Sequence, residues 1–278
     1  MTRSPYPYRL VLTVLDGSPS SEAAAEVAAE LATRSGATLH IGTAVQREGA
    51  RVDLGDAAPV VEPGSREFAQ LLEGHVDAVA TRLGERWDCR VEATSITEGK
   101  TGNGLIRYED GGDVDLTVLG VRLAKDHGGD EAVPRLRSDV AARLPSPLLL
   151  LPTTDEESSD ETAHALAESG PVAVVLGPYD SGDSSLARHA TAFAELIGSE
   201  VWTLDFDGSA REQILDGSDT RAPLVDLIRE RNVSTVVVGP EGRALAERLL
   251  FEQEPSSDED PRVPRVAVLL CPASSPAP

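Results

Sequence analysis

The stretch from Asp113 to Pro152 reads DVDLTVLGVRLAKDHGGDEAVPRLRSDVAARLPSPLLLLP and decides the fold class. It opens with a short apolar run at 115–120 and closes with a second one at 147–152, each bounded by turn residues. Such runs are typical of strands covered by helices on both faces. Between them, apolar residues recur at helical spacing, namely Leu136, Val140, Ala141 and Leu144. We therefore predict a strand, a loop that opens at Gly120, a helix and a second strand, which together close an α/β domain.

The residues before Asp113 alternate between strand and helix patterns. The strands are expected at 9–15, 37–45 and 89–96, and the helices at 20–36, 65–87 and 105–110. Ser20 or Ser21 is expected to cap the first helix, and Gly36 is expected to end it. This order predicts a five-stranded, open parallel sheet with helices on both faces. Ligands of such sheets bind outside the carboxyl ends of the strands, so the loop opening at Gly120 is the place to look for function.

The pattern of strands and helices starts again after Pro152. Residues 153–170 are rich in Asp, Glu, Ser and Thr and predict an acidic linker between a domain at 1–152 and a second, shorter domain at 171–272. The tail at 273–278 is expected to be disordered. In the second domain, the strands are expected at 171–177, 200–206, 233–239 and 264–271, and the helices at 185–198 and 222–232. Internal repetition of this kind indicates two related α/β domains in tandem, with five strands in the first and about four in the second.

The composition narrows the classes of partner. The formal charge is −22, so we expect no nucleic acid partner, because a phosphate backbone would meet mostly like charge. No apolar run approaches the roughly 20 residues of a membrane-spanning helix, and the first ten residues lack the apolar core of a signal peptide. We predict a cytoplasmic protein without direct membrane insertion. Carboxylates spread over helices and linker favour a halophilic type of acidic protein over a merely acidic one.

Catalytic and metal-binding patterns are missing from the sequence. Cys89 and Cys271 stand apart, without a CxxC motif or a Cys/His cluster, and are expected to be small core residues. The five histidines form no HExxH motif, and the chain has no GxSxG motif. The pair Asp16 and Ser18 is better explained by a turn that caps a helix than by catalysis. We predict neither catalytic residues nor a metal site.

Four features of the first half together resemble the universal stress protein family. They are Asp16-Gly17-Ser18 after the first strand, a glycine-led turn at 99–104, Val114-Asp115-Leu-Thr-Val-Leu-Gly120, and Leu144-Pro-Ser-Pro147 before the last strand. The likeness extends to the second half, so the resemblance implies a tandem member with a degenerate second copy. It also implies the family fold, a Rossmann-like sheet of the nucleotide alpha-hydrolase-like type.

The resemblance also implies where a nucleotide would bind. Many relatives hold ATP through a loop of pattern G-x2-G-x9-G-[ST] after the fourth strand, because glycines let backbone N–H groups approach the phosphates. In this chain Asp16 matches the nucleoside aspartate, Val45 approximates the position late in strand two, and Gly120 is the first loop glycine. The next three positions of the pattern fall on Leu123, Val133 and Pro134. In the second half, Gly239 and Gly242 keep the first two glycines, although helix capping alone explains them.

The implied loop is therefore degenerate, and Asp126, Asp130 and Glu131 would repel phosphates. We expect no cofactor, with ATP as the nucleotide if any is bound. The expected function is a non-catalytic stress-response or regulatory protein. Its two domains would pair through their last strands, at 148–151 and 266–270, and the oligomeric state, including a homodimer, stays open. The alternatives are an ATP- or AMP-binding signalling module, or a soluble regulatory unit that acts with a membrane transporter.

Overall fold

The computed structural model places nine strands in one sheet. It describes residues 8–43, 66–96, 101–122, 143–153, 170–176, 185–205, 231–239 and 266–272, together with Ala246 and Leu250. The strands are β1 Leu10–Leu15, β2 Thr38–Thr43, β3 Arg90–Ser95, β4 Leu116–Arg122, β5 Leu148–Thr153, β6 Val172–Leu176, β7 Val201–Asp205, β8 Thr235–Val238 and β9 Ala267–Leu270. The described helices are α1 Pro19–Ser35, α2 Arg66–Trp87, α3 Thr101–Gly111 and α4 Ser185–Ile197.

The first five strands form a parallel sheet in the order β3-β2-β1-β4-β5. The chain builds outward from β1 in one direction and then returns to add β4 and β5 on the other side. The predicted open parallel α/β sheet is thereby confirmed. Its strand order reverses between β1 and β4, and Val11 of β1 lies beside Leu116 of β4.

The remaining four strands continue the same sheet in the order β9-β8-β6-β7, also parallel among themselves. The two groups meet where β5 pairs antiparallel with β9, with Leu148 opposite Leu270 and Leu150 opposite Val268. Because of this antiparallel junction, the carboxyl ends of the two groups of strands lie at opposite edges of the sheet. The division of the chain into domains at 153–170 stays a prediction.

Apolar side chains cover both faces of the sheet, and both layers continue across the β5–β9 junction. On one face, α1, α2 and α4 pack against Val11, Leu149 and Leu269, all with no exposed surface. On the other face, residues of α3 pack in a layer that includes Leu12 and Val268. Helices on both faces account for the nearly uniform apolar runs in the strands.

Two helix boundaries differ from the sequence prediction. The N-cap of α1 is Ser18, and not Ser20 or Ser21, because Pro19 takes the first helical position and Ser18 accepts the Ser21 N–H at 3.2 Å. The helix ends at Gly36 as predicted, in a left-handed conformation with φ of 67°. The third helix begins at Thr101, four residues before the predicted start, so the second part of the glycine-led turn is helical.

Other predictions have mixed outcomes. The inner stripe of α1 is buried as expected. Leu71 of α2, in contrast, is a large apolar side chain that is exposed among the described residues. Cys271 lies in the core, but Cys89 is only half-buried. The expected loop at 46–64, the helical residues 136–142 and 222–230, the linker residues 154–169 and the tail residues 273–278 lie outside the described residues. Leu144, the last residue of the predicted helical stripe, is described and is buried but lies outside any helix.

Candidate functional site

The reversal of strand order between β1 and β4 defines the candidate site. In open α/β sheets, a crevice forms outside the carboxyl ends of the two strands at which the order reverses. Here β1 ends at Leu15, directly before Asp16, and β4 runs through Gly120 to Arg122. The structure therefore brings Asp16 and Gly120, the two matching residues that it describes in the first half, to one edge of the sheet.

Asp16 forms a turn and supports the cap of α1. Its Oδ1 accepts hydrogen bonds from the backbone N–H of Ser18 at 2.9 Å and from the Ser18 hydroxyl at 2.6 Å. Gly17 takes a positive φ of 83°, which a glycine adopts without steric cost. The Ser20 hydroxyl lies 2.9 Å from that of Ser18, which extends the chain of polar groups into the first turn of the helix. The expected turn-and-cap role of Asp16 and Ser18 is confirmed.

Gly120 lies inside β4 and does not open a loop. It pairs with Leu151 of β5, and the strand continues for two residues beyond it. A Cβ atom built on Gly120 would lie 2.0 Å from the carbonyl oxygen of Ser20 and 2.5 Å from its carbonyl carbon. The first turn of α1 is thus pressed against the backbone of β4. Close packing explains the glycine here without any ligand.

A polar residue that sequence reasoning missed lies nearby, at the end of β2. Thr43 pairs with Leu15, the last residue of β1, and only 2% of its surface is exposed. Its hydroxyl has no hydrogen-bond partner among the residues that the structure describes. Buried hydroxyls are normally satisfied, so an unpartnered one at the edge where ligands bind is notable. One indication of Thr43 was present in the sequence, since it lies two residues before Val45, the position matched to the nucleoside-binding residue late in strand two.

The second half presents a different environment for its first glycine. Gly239 directly follows β8, and a Cβ atom there would meet the Leu186 side chain at 3.7 Å, an ordinary van der Waals contact. Among the described residues, no helix backbone approaches it as Ser20 approaches Gly120. The packing of the described residues therefore does not require glycine at position 239.

Asp115, part of the motif that resembles the family, lies at the opposite, amino edge of the sheet. Its Oδ2 accepts the backbone N–H groups of Arg9 at 2.8 Å and of Leu10 at 3.0 Å. The aspartate thus joins the start of β4 to the start of β1. Its role in the described structure is to hold the two strands in register.

Several predicted positions lie outside the described residues. They are Val45 and Gly242, the loop positions Leu123, Val133 and Pro134, and the acidic residues Asp126, Asp130 and Glu131.

The histidines in the described part of the chain lie beside other protein side chains. The Nδ1 atom of His40 lies 2.6 Å from the hydroxyl of Tyr108, and the Nε2 atom of His75 lies 3.3 Å from Glu22 Oε1. Burial lowers the pKa of His189, and nearby Arg188 lowers it further. The described residues hold no group of three or more His, Cys, Asp or Glu side chains that could bind a metal ion. No helix among them is long and apolar enough to cross a bilayer.

Comparison with known proteins identifies the family. The model of the universal stress protein family matches residues 7–152, which is 146 of the 278 residues (152 − 7 + 1) and more than half of the chain. A crystal structure of a universal stress protein from Archaeoglobus fulgidus DSM 4304 aligns with 96% of this chain and 99% of its own, at 13% identity and a TM-score of 0.62. At that identity the likeness concerns the fold alone.

Two further structures align with about half of the chain. A universal stress protein solved in complex with cAMP covers 52% of this chain and 97% of its own, at 24% identity and a TM-score of 0.33. A universal stress protein from Lactobacillus plantarum covers 51% and 97%, at 18% identity and the same TM-score, which is too low to support a conclusion about this chain. No curated protein sequence matches the chain at a significant level. The family match over residues 7–152 is sufficient by itself: the chain belongs to the universal stress protein family.

Proposed function

We propose that this chain is a non-catalytic, cytoplasmic stress-response or regulatory protein that does not bind ATP in the manner the family resemblance implies. The observation that carries the proposal is the position of Gly120. A phosphate-binding loop needs a glycine whose backbone is open to the ligand. Gly120 is instead enclosed between Leu151 of the neighbouring strand and the carbonyl group of Ser20.

Asp16 and the net charge support the same proposal. One carboxylate oxygen of Asp16 already accepts two hydrogen bonds from Ser18 within its own turn. The chain carries a formal charge of −22, so a nucleotide with several phosphates would approach a strongly negative molecule. Both features weaken the case for a resident anionic cofactor.

We further propose that the molecule works as two related domains joined through β5 and β9. The strand order β5-β4-β1-β2 in the first half corresponds to β9-β8-β6-β7 in the second. The junction is apolar, with Leu149 opposite Leu269 and both side chains fully buried. Such a junction within one chain would replace an interface between two chains.

One observation favours the alternative, in which the first half binds ATP or AMP as a signalling module. The hydroxyl of Thr43 is buried, lacks a partner, and lies at the edge that such sheets use for ligands. A nucleoside hydroxyl or ring nitrogen would satisfy it. Under the main proposal, the same hydroxyl is an unsatisfied buried group of the kind that costs a domain about 1–3 kcal/mol.

A nucleotide-release experiment separates the two functions. The freshly purified full-length protein is denatured, and the supernatant is analysed by chromatography for ATP, ADP, AMP and cyclic nucleotides. The proposal expects no nucleotide at more than a few per cent of the protein concentration. Release of a stoichiometric nucleotide that is reduced in the Thr43→Val variant would establish the alternative.

A further inference from the structure

A buried carboxylate anchors α3 to the sheet on the face opposite α1. Glu109, in the last turn of α3, exposes only 3% of its surface. Its Oε1 accepts the hydroxyl of Thr117 on β4, and its Oε2 accepts the hydroxyl of Ser146 at 2.8 Å and the backbone N–H of Ser146 at 3.3 Å. Three donors from two separate segments thus converge on one side chain, with no cation among them.

The charge state of this carboxylate depends on its surroundings. Burial raises the pKa of Glu109, and the hydrogen bonds from Thr117 and Ser146 lower it by a smaller amount. Asp110, the next residue of α3, raises it slightly further. β4 and the turn before β5 present only hydroxyl and amide groups to it, so nothing among its described partners offsets the cost of burying the negative charge.

Tyr108, the residue before Glu109, connects the same turn of α3 to β2. The Tyr108 hydroxyl lies 2.6 Å from Nδ1 of His40 on β2, whose Nε2 lies 3.4 Å from Glu92 on β3. Leu105 and Ile106 bury the apolar side of the helix. The described polar contacts of α3 with the sheet thus comprise a Tyr108 cluster over β2 and β3 and a Glu109 cluster over β4 and β5. The titratable groups of the first cluster are Tyr108 itself, His40 and Glu92, and Glu92 also pairs with Arg90 at 2.6 Å.

We propose that Glu109 is a proton-sensitive anchor, and that it holds α3 on the sheet more firmly under acidic conditions than under alkaline ones. Protonation leaves a neutral carboxyl group among three neutral donors, and the two hydroxyls can rotate to accept its proton. Deprotonation places an uncompensated charge under the helix. The docking of α3 bears on the candidate site, because α3 begins with Thr101 to Gly104, the helical part of the glycine-led turn.

The direction of the effect follows from linkage between proton binding and docking. A carboxyl whose pKa is raised in the docked state contributes stability that is fully present below its ordinary value of 4.5. That contribution is lost as the pH rises through the raised pKa. Uptake of one proton changes the opening equilibrium by up to about tenfold per pH unit within this window.

Hydrogen exchange of the α3 amides in the full-length protein tests the proposal. After correction for intrinsic exchange rates, wild-type protection is expected to fall by up to about tenfold per pH unit as Glu109 ionises. Glu109→Gln, which is neutral at every pH, should keep constant protection across the same range. Asp110→Asn is the matched control and should retain the wild-type dependence.

Two further variants keep the proposal falsifiable if Glu109→Gln does not fold. Ser146→Ala removes a donor that favours the charged form, so the pH at which protection is lost should move upward. His40→Gln should leave the dependence intact. Wild-type protection that does not vary with pH, a Ser146→Ala profile identical to wild type, or loss of the dependence in His40→Gln would each overturn the proposal.

Discussion

At the scale of single residues, two threonines with buried hydroxyls differ in a way that sequence cannot reveal. Thr13 and Thr235 each have no exposed surface. The Thr13 hydroxyl donates to the carbonyl oxygen of Val118 at 2.9 Å, whereas the Thr235 hydroxyl has no partner in the described part of the chain. A buried polar group costs free energy unless it is hydrogen-bonded, so identical residues have opposite effects.

Replacing each threonine with valine, which has the same shape, measures this difference. Thr235→Val should raise the free energy of unfolding by about 1 kcal/mol, because it removes an unsatisfied hydroxyl. Thr13→Val should lower it by about 1 kcal/mol, because it removes a made hydrogen bond. Urea denaturation of the two variants and the wild type gives both values. A Thr235→Val protein less stable than wild type would show that the hydroxyl is satisfied.

The two strand-end glycines make a second pair. Gly120→Ala should destabilise the fold by about 1–3 kcal/mol or more, because its Cβ would lie 2.0 Å from the Ser20 carbonyl oxygen. Gly239→Ala is the matched control and should be nearly neutral, since the contact of its Cβ with the described residues is an ordinary one, to Leu186 at 3.7 Å. Thermal unfolding of both variants provides the comparison. Equal losses at the two sites would contradict the packing explanation of Gly120.

The sequence predicted the position of Gly120 near the end of a strand but not its surroundings. Local apolar patterning locates a strand, because it reflects burial on both faces. The contact with Ser20 joins residues a hundred positions apart and depends on how α1 crosses β4. For the same reason the buried group of Glu109, Thr117 and Ser146 could not be seen beforehand, since its members come from three segments.

At the scale of elements, a row of glutamates on α1 faces α2. Glu26, with 1% of its side chain exposed, accepts the indole N–H of Trp87 at 2.7 Å and lies 3.6 Å from the Arg86 guanidinium. One turn earlier, Glu22 lies 3.3 Å from His75 and 3.0 Å from Arg82. Buried carboxylates need such partners, so the two helices specify each other.

The corresponding helix of the second half lacks this row. Both α1 and α4 are followed by glycines with positive φ, Gly36 and Gly198, which align the two helices. Counting back from those glycines, the position of Glu26 corresponds to Arg188. No counterpart of α2 is present in the described part of the second half. In the first half, α2 supplies the cationic partners of the acidic row.

Glu22 provides a pH-dependent prediction for this helix pair. The nearby His75 imidazole, 3.3 Å from Glu22 Oε1, lowers the pKa of Glu22, and Arg82 lowers it further despite partial burial. A lowered pKa contributes stability above the ordinary value of 4.5 that is lost as the pH falls through the lowered one. Glu22→Gln should therefore lose stability relative to wild type at pH 7, and this difference should shrink at pH 3. Urea titrations at the two pH values test this.

Glu85→Gln is the control for the helix pair, because Glu85 is exposed on α2. Its stability should follow that of wild type at both pH values. If the stability difference between Glu22→Gln and wild type were larger at pH 3 than at pH 7, the pKa of Glu22 could not be lowered in the folded state, and the prediction would be wrong.

The extent of α1 was predicted correctly, whereas its N-cap was predicted wrongly although the sequence holds the deciding residue. The spacing of Ala24, Val27, Ala28 and Leu31 reports the buried stripe directly, and all four are fully or almost fully buried. Ser18, Ser20 and Ser21 are chemically equivalent candidates for the cap. Pro19 decides between them, because proline is favoured at the first helical position, which makes the preceding serine the cap.

At the scale of the whole molecule, the two groups of strands have corresponding strand orders on the two sides of the β5–β9 junction. The antiparallel pairing sets the carboxyl end of β4 and that of β8 at opposite edges of one sheet. Gly120 and Gly239 therefore lie at opposite edges of the sheet. Any nucleotide chemistry would have to be assigned to each half separately.

The net charge predicts a response of the whole molecule to salt. A formal charge of −22 on 278 residues produces self-repulsion, which counter-ions reduce. We expect the melting temperature to rise by several degrees between low salt and molar KCl. Differential scanning calorimetry in both conditions measures the shift, and equal melting temperatures would contradict a halophilic adaptation.

The central claim is that the first half does not bind ATP in the manner the family resemblance implies, and its most direct test is the melting temperature of the full-length protein with and without ATP. Binding to the native state alone would stabilise it by about 2.7 kcal/mol at a hundredfold excess over Kd. We predict no change in melting temperature at millimolar ATP and magnesium. A rise of several degrees that disappears in Asp16→Ala would contradict the claim.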